Sequence, residues 1–330
     1  MKALVTGGGG FLGSCIVGML HDRGDDVTAF GRRRYPHLDA LGINTIQGDL
    51  RDTDAVRAAG RGMDVVFHVA GLPGIWGTRR SFWETNVDGT ANVIDSCRVN
   101  GVRKLIYTSS PSVVFGDQPL CGVDESQPYP SRFLAHYPAS KAAAEQMVIR
   151  ANGDDLATVA LRPHLIWGPG DPHLLPRVVE RAKRGQLLQV GDGSNRVDIT
   201  YIDNAAEAHL LAADALQDGK PCAGKAYFIS QGEPVLLWPW LNEMLQAAGA
   251  PPVTRSISHA NARRLGAVLE TIYRLLRLSR EPRMTRFLAD QFADSHYFDI
   301  SAAERDLGYR PKISTAEGMK RWAASLSDTT

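Results

Sequence analysis

The chain has 330 residues, 44% hydrophobic and 22% charged, the balance of a globular protein of about two domains. A formal net charge of +1 gives no field for nucleic acid, and no apolar run is long enough to span a bilayer. The four cysteines, Cys15, Cys97, Cys121 and Cys222, lack metal-ligand spacing, so no metal site is expected and reduced thiols are.

Lys2 to Val5 reads as a buried strand. It leaves no room for a signal peptide, so a soluble, cytoplasmic protein is expected. Thr6-Gly7-Gly8-Gly9-Gly10-Phe11-Leu12-Gly13 then forms a glycine turn that opens a helix with Leu12, Ile16, Met19 and Leu20 on one side. Strand, turn and helix N-terminus bring unpaired N–H groups and the positive end of a helix dipole together, which makes a site for a diphosphate. Gly7 and Gly10 let backbone and phosphate approach closely, and Gly13 lets the helix pack on the strand.

Asp26 to Phe30 is a second strand, followed by Gly31-Arg32-Arg33-Arg34. A dinucleotide-binding fold places a carboxylate here for the ribose hydroxyls, whereas guanidinium matches a 2′-phosphate. NADPH is therefore expected rather than NADH, with Arg32 and Arg33 on the phosphate. Ile43 to Gln47 is a third strand, ending in Gly48-Asp49-Leu50, where Asp49 is placed to meet the adenine amino group. Asp64 to Gly71 is a fourth, and its small residues Ala70 and Gly71 suit a backbone passing beneath a cofactor. His68 inside that strand reads as a core histidine.

Asn86-Val87-Asp88-Gly89-Thr90 opens a helix that continues through Cys97. Lys104 to Ser110 is a fifth strand whose hydroxyl-rich end lies on the carboxyl edge of the sheet, where open α/β sheets bind ligands. Tyr137-Pro138-Ala139-Ser140-Lys141 opens a helix running to about Arg150, with Tyr137 and Lys141 one turn apart on one face. Leu156 to Leu161 is a sixth strand, leading into Arg162-Pro163.

Alternating strands and helices predict an α/β fold, a doubly wound parallel sheet of the Rossmann type. Beyond Gly170 the alternation breaks down, although Val197 to Tyr201 and Ala226 to Ser230 still read as short strands. Residues 1–170 are assigned to the dinucleotide-binding domain, with 197–222 returning to it. Residues 171–196 and 223–330 are assigned to a smaller α/β lobe that binds substrate.

A tyrosine one turn before a lysine, beside a serine at a strand end, can move a proton at a carbonyl while a nicotinamide moves hydride. Free tyrosine, with a pKa near 10, is sluggish at neutral pH, and a neighbouring ammonium favours the phenolate.

Thr6-Gly7-x-x-Gly10-x-x-Gly13, Asp49-Leu50, Asn86-Val87-x-Gly89-Thr90, Thr108-Ser109-Ser110, Tyr137-x-x-x-Lys141 and Arg162-Pro163 resemble the extended short-chain dehydrogenase/reductase superfamily, in its order. The resemblance runs to Asp306-Leu307-Gly308-Tyr309-x-Pro311. It implies Tyr137 as the acid, Lys141 as the ribose-binding residue that lowers its pKa, and Ser110 as the hydroxyl on the substrate oxygen, with Ser109 the alternative. It also implies cofactor contacts from Gly7, Gly10, Phe11, Leu12, Gly13, Arg32, Arg33, Asp49, Leu50, Ala70, Gly71, Asn86, Thr108, Tyr137, Lys141 and Pro163.

Tyr107-Thr108-Ser109-Ser110-Pro111-Ser112-Val113-Val114-Phe115 resembles the 3β-hydroxysteroid and sterol dehydrogenase branch. Leu161-Arg162-Pro163-x-Leu165-Ile166-Trp167-Gly168-Pro169-Gly170-Asp171, Gly191-Asp192-Gly193-Ser194-Asn195 and Tyr201-Ile202-Asp203-Asn204 are similar to the bacterial 2-alkyl-3-oxoalkanoate reductases of long-chain olefin biosynthesis. That likeness implies NADPH-dependent reduction of a long-chain fatty β-keto acid and association with other olefin-biosynthesis enzymes. The superfamily implies a homodimer through the helices near Asn86 and Tyr137. The competing readings are a 3β-hydroxysteroid or sterol dehydrogenase, a nucleotide-sugar epimerase or dehydratase, and a non-catalytic NADPH sensor.

One further stretch stands out. Leu265, Val268, Leu269, Ile272, Leu275, Leu276 and Leu278 form a wide apolar stripe beside Arg263, Arg264, Arg274 and Arg277. Core, the wall of an acyl tunnel and a membrane-facing surface all fit. Core or tunnel is the expectation, because amphipathic helices in soluble proteins mostly face inward.

Overall fold

The computed structural model describes residues 1–116, 118–172, 174–216 and 221–327. Positions 217–220 of the segment expected to return to the first domain lie outside the described residues. The molecule is built on seven parallel strands: β1 (Lys2–Thr6), β2 (Asp26–Gly31), β3 (Asn44–Gln47), β4 (Val65–His68), β5 (Lys104–Thr108), β6 (Ala157–Pro163) and β7 (Lys225–Ile229), in the order β7-β6-β5-β4-β1-β2-β3. The order in which strands are added reverses between β1 and β4, so their carboxyl ends open the crevice of a doubly wound Rossmann-type sheet.

Alternation along the strands divides the core. Ala3, Val5 and Phe67 face the side covered by α1 (Phe11–Asp22), while Leu4, Val66, Leu105 and Tyr107 face the other. That second side is covered by α2 (Gly89–Asn100) and α3 (His136–Arg150), through Val93, Ile94, Ala144 and Val148. Helix α4 (Ile202–Ala215) packs beside α1.

The strand at 225–229, grouped with the smaller lobe on sequence, instead closes the large sheet, with Lys225 to Ile229 paired to Val159 to Pro163. Its five apolar-rich residues fit either sheet equally well, and only the pairing separates them. The expected strand from Val197 to Tyr201 is also divided. Arg196–Val197 joins a four-stranded sheet with Val235–Leu236, His296–Phe298 and Leu120–Val123, while Thr200–Tyr201 pairs with Ile166–Trp167. Between them Asp198 is buried, accepts the Phe298 N–H at 2.9 Å, and has its carboxyl pushed up to about 6 by burial. A histidine pair joins the two sheets. His296 donates from Nε2 to the Gln291 carbonyl (2.9 Å), so its Nδ1 accepts from His164 Nε2 (2.6 Å).

The apolar stripe overturns the core expectation. Helix α5 (His259–Leu275) buries Ala262, Gly266 and Glu270, whereas Val268 is 56% exposed, Ile272 42% and Leu275 78%. The helix is oriented by polar and steric contacts. Glu270 accepts the Arg286 backbone N–H (2.8 Å) and its guanidinium (2.8 and 3.2 Å), at the start of α6 (Arg286–Ala293). Burial pushes the Glu270 carboxyl up, but the Arg286 and Arg274 contacts hold it below its ordinary value. A Cβ on Gly266 would lie 2.5 Å from the Thr285 carbonyl carbon, so only glycine allows this approach. The hydrophobic pattern shows which face is apolar, and the buried carboxylate decides which face turns inward.

Two substitutions on either side of α5 test this orientation. Val268→Ala and Ile272→Ala should each change unfolding free energy by no more than about 0.5 kcal/mol. Gly266→Val should cost about 1–3 kcal/mol by forcing the helix off the Thr285 backbone. Urea denaturation reads both.

Candidate active site

The cradle at the end of β1 comes from close approach. Gly7 is left-handed at φ 70°, and its N–H donates to the Phe30 carbonyl at 2.7 Å. A Cβ there would sit 2.9 Å from the Ala70 backbone, and one on Gly13 would collide with the Gly7 carbonyl oxygen. Helix α1 then begins with no side-chain cap and no acid in its first turn, so its first N–H groups are free for an anion. A phosphate-bearing cofactor fits this cradle.

Gly7, Gly10, Phe11, Leu12, Gly13, Ala70, Gly71, Thr108, Ser110, Tyr137, Lys141 and Pro163 line one cleft of about 470 Å³ on the carboxyl edge, and so does Ser109, the alternative to Ser110. Five expected residues lie outside its lining. Arg32 and Arg33 are exposed in the turn after β2. Asp49 is held by Arg51 at 2.8 and 3.0 Å, which keeps its carboxyl below the ordinary range. Leu50 is buried beneath Gly89. Asn86 is buried in a π-helical turn and clamps the loop after β4 to α3. Its Oδ1 accepts the Leu72 N–H (2.7 Å), and its Nδ2 donates to the Leu72 carbonyl (3.2 Å) and to Ser140 Oγ (2.9 Å).

The sequence reading missed Tyr35, whose ring fills the space that side chains on Gly9 and Gly31 would need. It also missed Val69, Pro73, Leu165, Ile166, Asp171 and Leu174, which complete the cleft. Apolar residues just past a strand end, and a lone aspartate in a loop, carry no local signature, so only the fold reveals these. Tyr35 had a signal, because it directly follows the arginine turn.

Strand β5 delivers the hydroxyls. The Ser109 N–H is tied to the Leu161 carbonyl at 2.6 Å and its hydroxyl is buried. Ser110 caps the following 3₁₀ turn, accepting the Ser112 N–H at 3.2 Å. Ser110 also faces the Tyr137 phenol. Burial raises that phenol above its ordinary value, and the Ser110 hydroxyl offsets part of the rise. The result is a neutral phenol, the form able to donate a proton.

Lys141, one turn on, is buried, with Nζ donating to the Thr108 carbonyl (2.6 Å) and 4.1 Å from the Tyr107 ring centroid. Burial lowers its pKa to about 7, opposed by the Glu145 carboxylate. Glu145 lies a further turn along α3, fully buried, and is paired with Arg162 from β6 at 2.7 and 3.0 Å. The Tyr129 hydroxyl donates to the same carboxylate at 2.7 Å.

A second chamber of about 260 Å³ is lined in part by His136, the residue before Tyr137. Trp76, Phe133 and Phe287 give it aromatic walls, with Arg274 and Glu270 at one side. Trp76 is fixed to the segment just beyond α5 by its indole N–H, which donates to the Leu278 carbonyl at 3.0 Å.

Glycine cradle, strand-end serine and Tyr137/Lys141 pair on a seven-stranded parallel sheet define an extended short-chain dehydrogenase/reductase, an NAD(P)-dependent oxidoreductase. Within that class, the 3-beta hydroxysteroid dehydrogenase/isomerase family model matches residues 4–257, and the chain belongs to this family. It is 52% identical over 327 residues to 2-alkyl-3-oxoalkanoate reductase of Stenotrophomonas maltophilia, covering 98% of this chain and 99% of that one. Identity is again 52%, over 332 residues, with 2-alkyl-3-oxoalkanoate reductase of Shewanella oneidensis, covering 98% and 86%. Among solved structures, Thermus thermophilus UDP-glucose 4-epimerase in complex with NAD superposes with a TM-score of 0.76 at 25% identity, covering 100% of both chains.

The depressed Lys141 pKa has a stability consequence with a definite sign. Between about 7 and its ordinary value of 10.5, the folded protein binds fewer protons than the unfolded chain. Stability therefore rises with pH across that window, and the penalty for the buried ammonium is complete below it. Lys141→Met should stabilise the cofactor-free protein at pH 6 and lose that advantage near pH 10, read as a difference in Tm. Glu145→Gln should cost about 3–5 kcal/mol, because it leaves the Arg162 guanidinium buried without its counter-charge.

Proposed function

We propose that the protein reduces the 3-keto group of a long-chain 2-alkyl-3-oxoalkanoic acid with NADPH, giving the 2-alkyl-3-hydroxy acid. The observation that carries this reading is the meeting of Tyr137 and Ser110 at one cleft with the glycine cradle and Lys141. Full-length identity to reductases of that name supports the substrate, and the aromatic chamber beside His136 offers room for apolar tails.

When bound, the reduced nicotinamide supplies the hydride. The Gly7–Gly13 turn and the start of α1 hold the diphosphate, and Lys141 holds the adjoining ribose. Ser110 orients the substrate oxygen, and the neutral Tyr137 phenol gives that oxygen its proton. Arg32 and Arg33, exposed and adjacent, select the 2′-phosphate. The working unit is a homodimer joined through α2 and α3, as in the wider superfamily, and light scattering at micromolar concentration tests this. Association with other enzymes of olefin biosynthesis, and a cytoplasmic location, belong to the same reading.

NADPH oxidation followed beside a long-chain 2-alkyl-3-oxo acid and a 3-ketosteroid tests the substrate directly. Turnover of the acid and not the steroid is expected, and the reverse overturns the reading. Tyr137→Phe should lower kcat by about 10²–10⁴ while the protein still binds cofactor. The double variant Arg32→Ala/Arg33→Ala removes charge-assisted bonds worth about 1.5–3 kcal/mol each. Its KM for NADPH should rise at least tenfold while that for NADH stays nearly constant. Equal losses with both cofactors would assign the arginines to the fold.

A further inference from the structure

Residues 263–283 contain six arginines and two glutamates, a net of +4, in a chain whose total is +1. Both glutamates are occupied, Glu270 by Arg286 and Glu281 by Arg177 at 3.4 Å. Arg264, Arg277, Arg280 and Arg283 are exposed and have no carboxylate partner among the described residues. Between them stand Leu265, Val268, Ile272, Leu275, Leu276 and Leu278, each at least 41% exposed. The buried row of Ala262, Gly266 and Glu270 fixes this face outward, so no rotation of α5 can hide it.

We infer that this face seats the protein on the surface of an anionic phospholipid bilayer, with leucines in the interface and arginines on the headgroups. An amphipathic helix with a leucine-rich face and a basic border binds in this way. No helix among the described residues is long and apolar enough to cross a membrane, so the contact is peripheral. Charge selects the occupant. A second copy docking on the same face would set one arginine cluster against another, whereas an anionic bilayer neutralises it. Helix α5 also walls the aromatic chamber through Arg274, so the seated face adjoins the space assigned to acyl tails. That last point rests on the proposed substrate, but membrane binding itself does not.

Vesicle flotation of the full chain, without cofactor or substrate, tests the inference independently of catalysis. The protein should float with phosphatidylcholine vesicles containing about one third phosphatidylglycerol and not with pure phosphatidylcholine. The surface variant Val268→Ser/Leu275→Ser/Leu276→Ser should keep the wild-type Tm and lose flotation. Replacing Arg264, Arg277, Arg280 and Arg283 with glutamine should weaken binding about fivefold per residue, and this variant serves if the first is unstable. Absence of wild-type flotation with the anionic vesicles overturns the inference, as does flotation undiminished in both variants. A wild-type oligomer that the serine variant splits into monomers also overturns it, and assigns the face to a second copy.

Discussion

Helix α3 carries both the phenol and the ammonium of the site, and a charge pair sealed from water holds it to the sheet. Glu145 and Arg162 are 0% and 3% exposed in their side chains, the most deeply buried ion pair among the described residues. Neither charge can be left alone at that depth, so α3 cannot slip along β6 without stranding one of them. The register so fixed sets Tyr137 level with Ser110 and Lys141 against the Thr108 carbonyl. The same carboxylate supports the Lys141 charge against burial. One side chain thus governs both the position and the electrostatics of the pair.

Around this pair the interior is poor in charge, and its imidazoles act as neutral spacers. Burial pushes His68 down to about 3 and His209 to about 4. His209 Nδ1 lies 2.7 Å from the Ala205 carbonyl, which can only accept, so Nδ1 carries the hydrogen. Its Nε2 must then accept from the Thr108 hydroxyl at 2.8 Å. That hydroxyl has no second hydrogen for the cleft, while the Thr108 carbonyl receives Lys141. His68 similarly bridges Thr6 (2.8 Å) and Thr90 (3.0 Å), tying the strand that leads into the glycine turn to the start of α2.

Much of the cleft was legible because its signals are local. A glycine turn after a strand, a hydroxyl-rich strand end and a tyrosine four residues before a lysine each follow from adjacent residues. Features missed on sequence depend on partners far along the chain. Asn86 stands in an expected motif, but its amide is occupied by Leu72 and by Ser140, 54 residues away. The orientation of α5 depends on Arg286, 16 residues beyond Glu270. The neighbouring serines both line the cleft, and only their partners tell them apart: the Ser109 hydroxyl has none among the described residues, while the Ser110 hydroxyl reaches the Tyr137 phenol.

The edge position of β7 bears on how the chain is made. Strand β6 gains its second neighbour only once residues 225–229 have left the ribosome, more than sixty positions after β6 itself. Until then one side of β6, from Val159 to Pro163, is a row of unpaired amides and carbonyls flanked by apolar side chains, a template for pairing with another chain. A nascent or truncated polypeptide ending near residue 222 would therefore be complete in its nucleotide turn and in Tyr137 and Lys141, yet open along one strand. Aggregation, rather than loss of any residue of the candidate site, would be the characteristic failure of such a fragment.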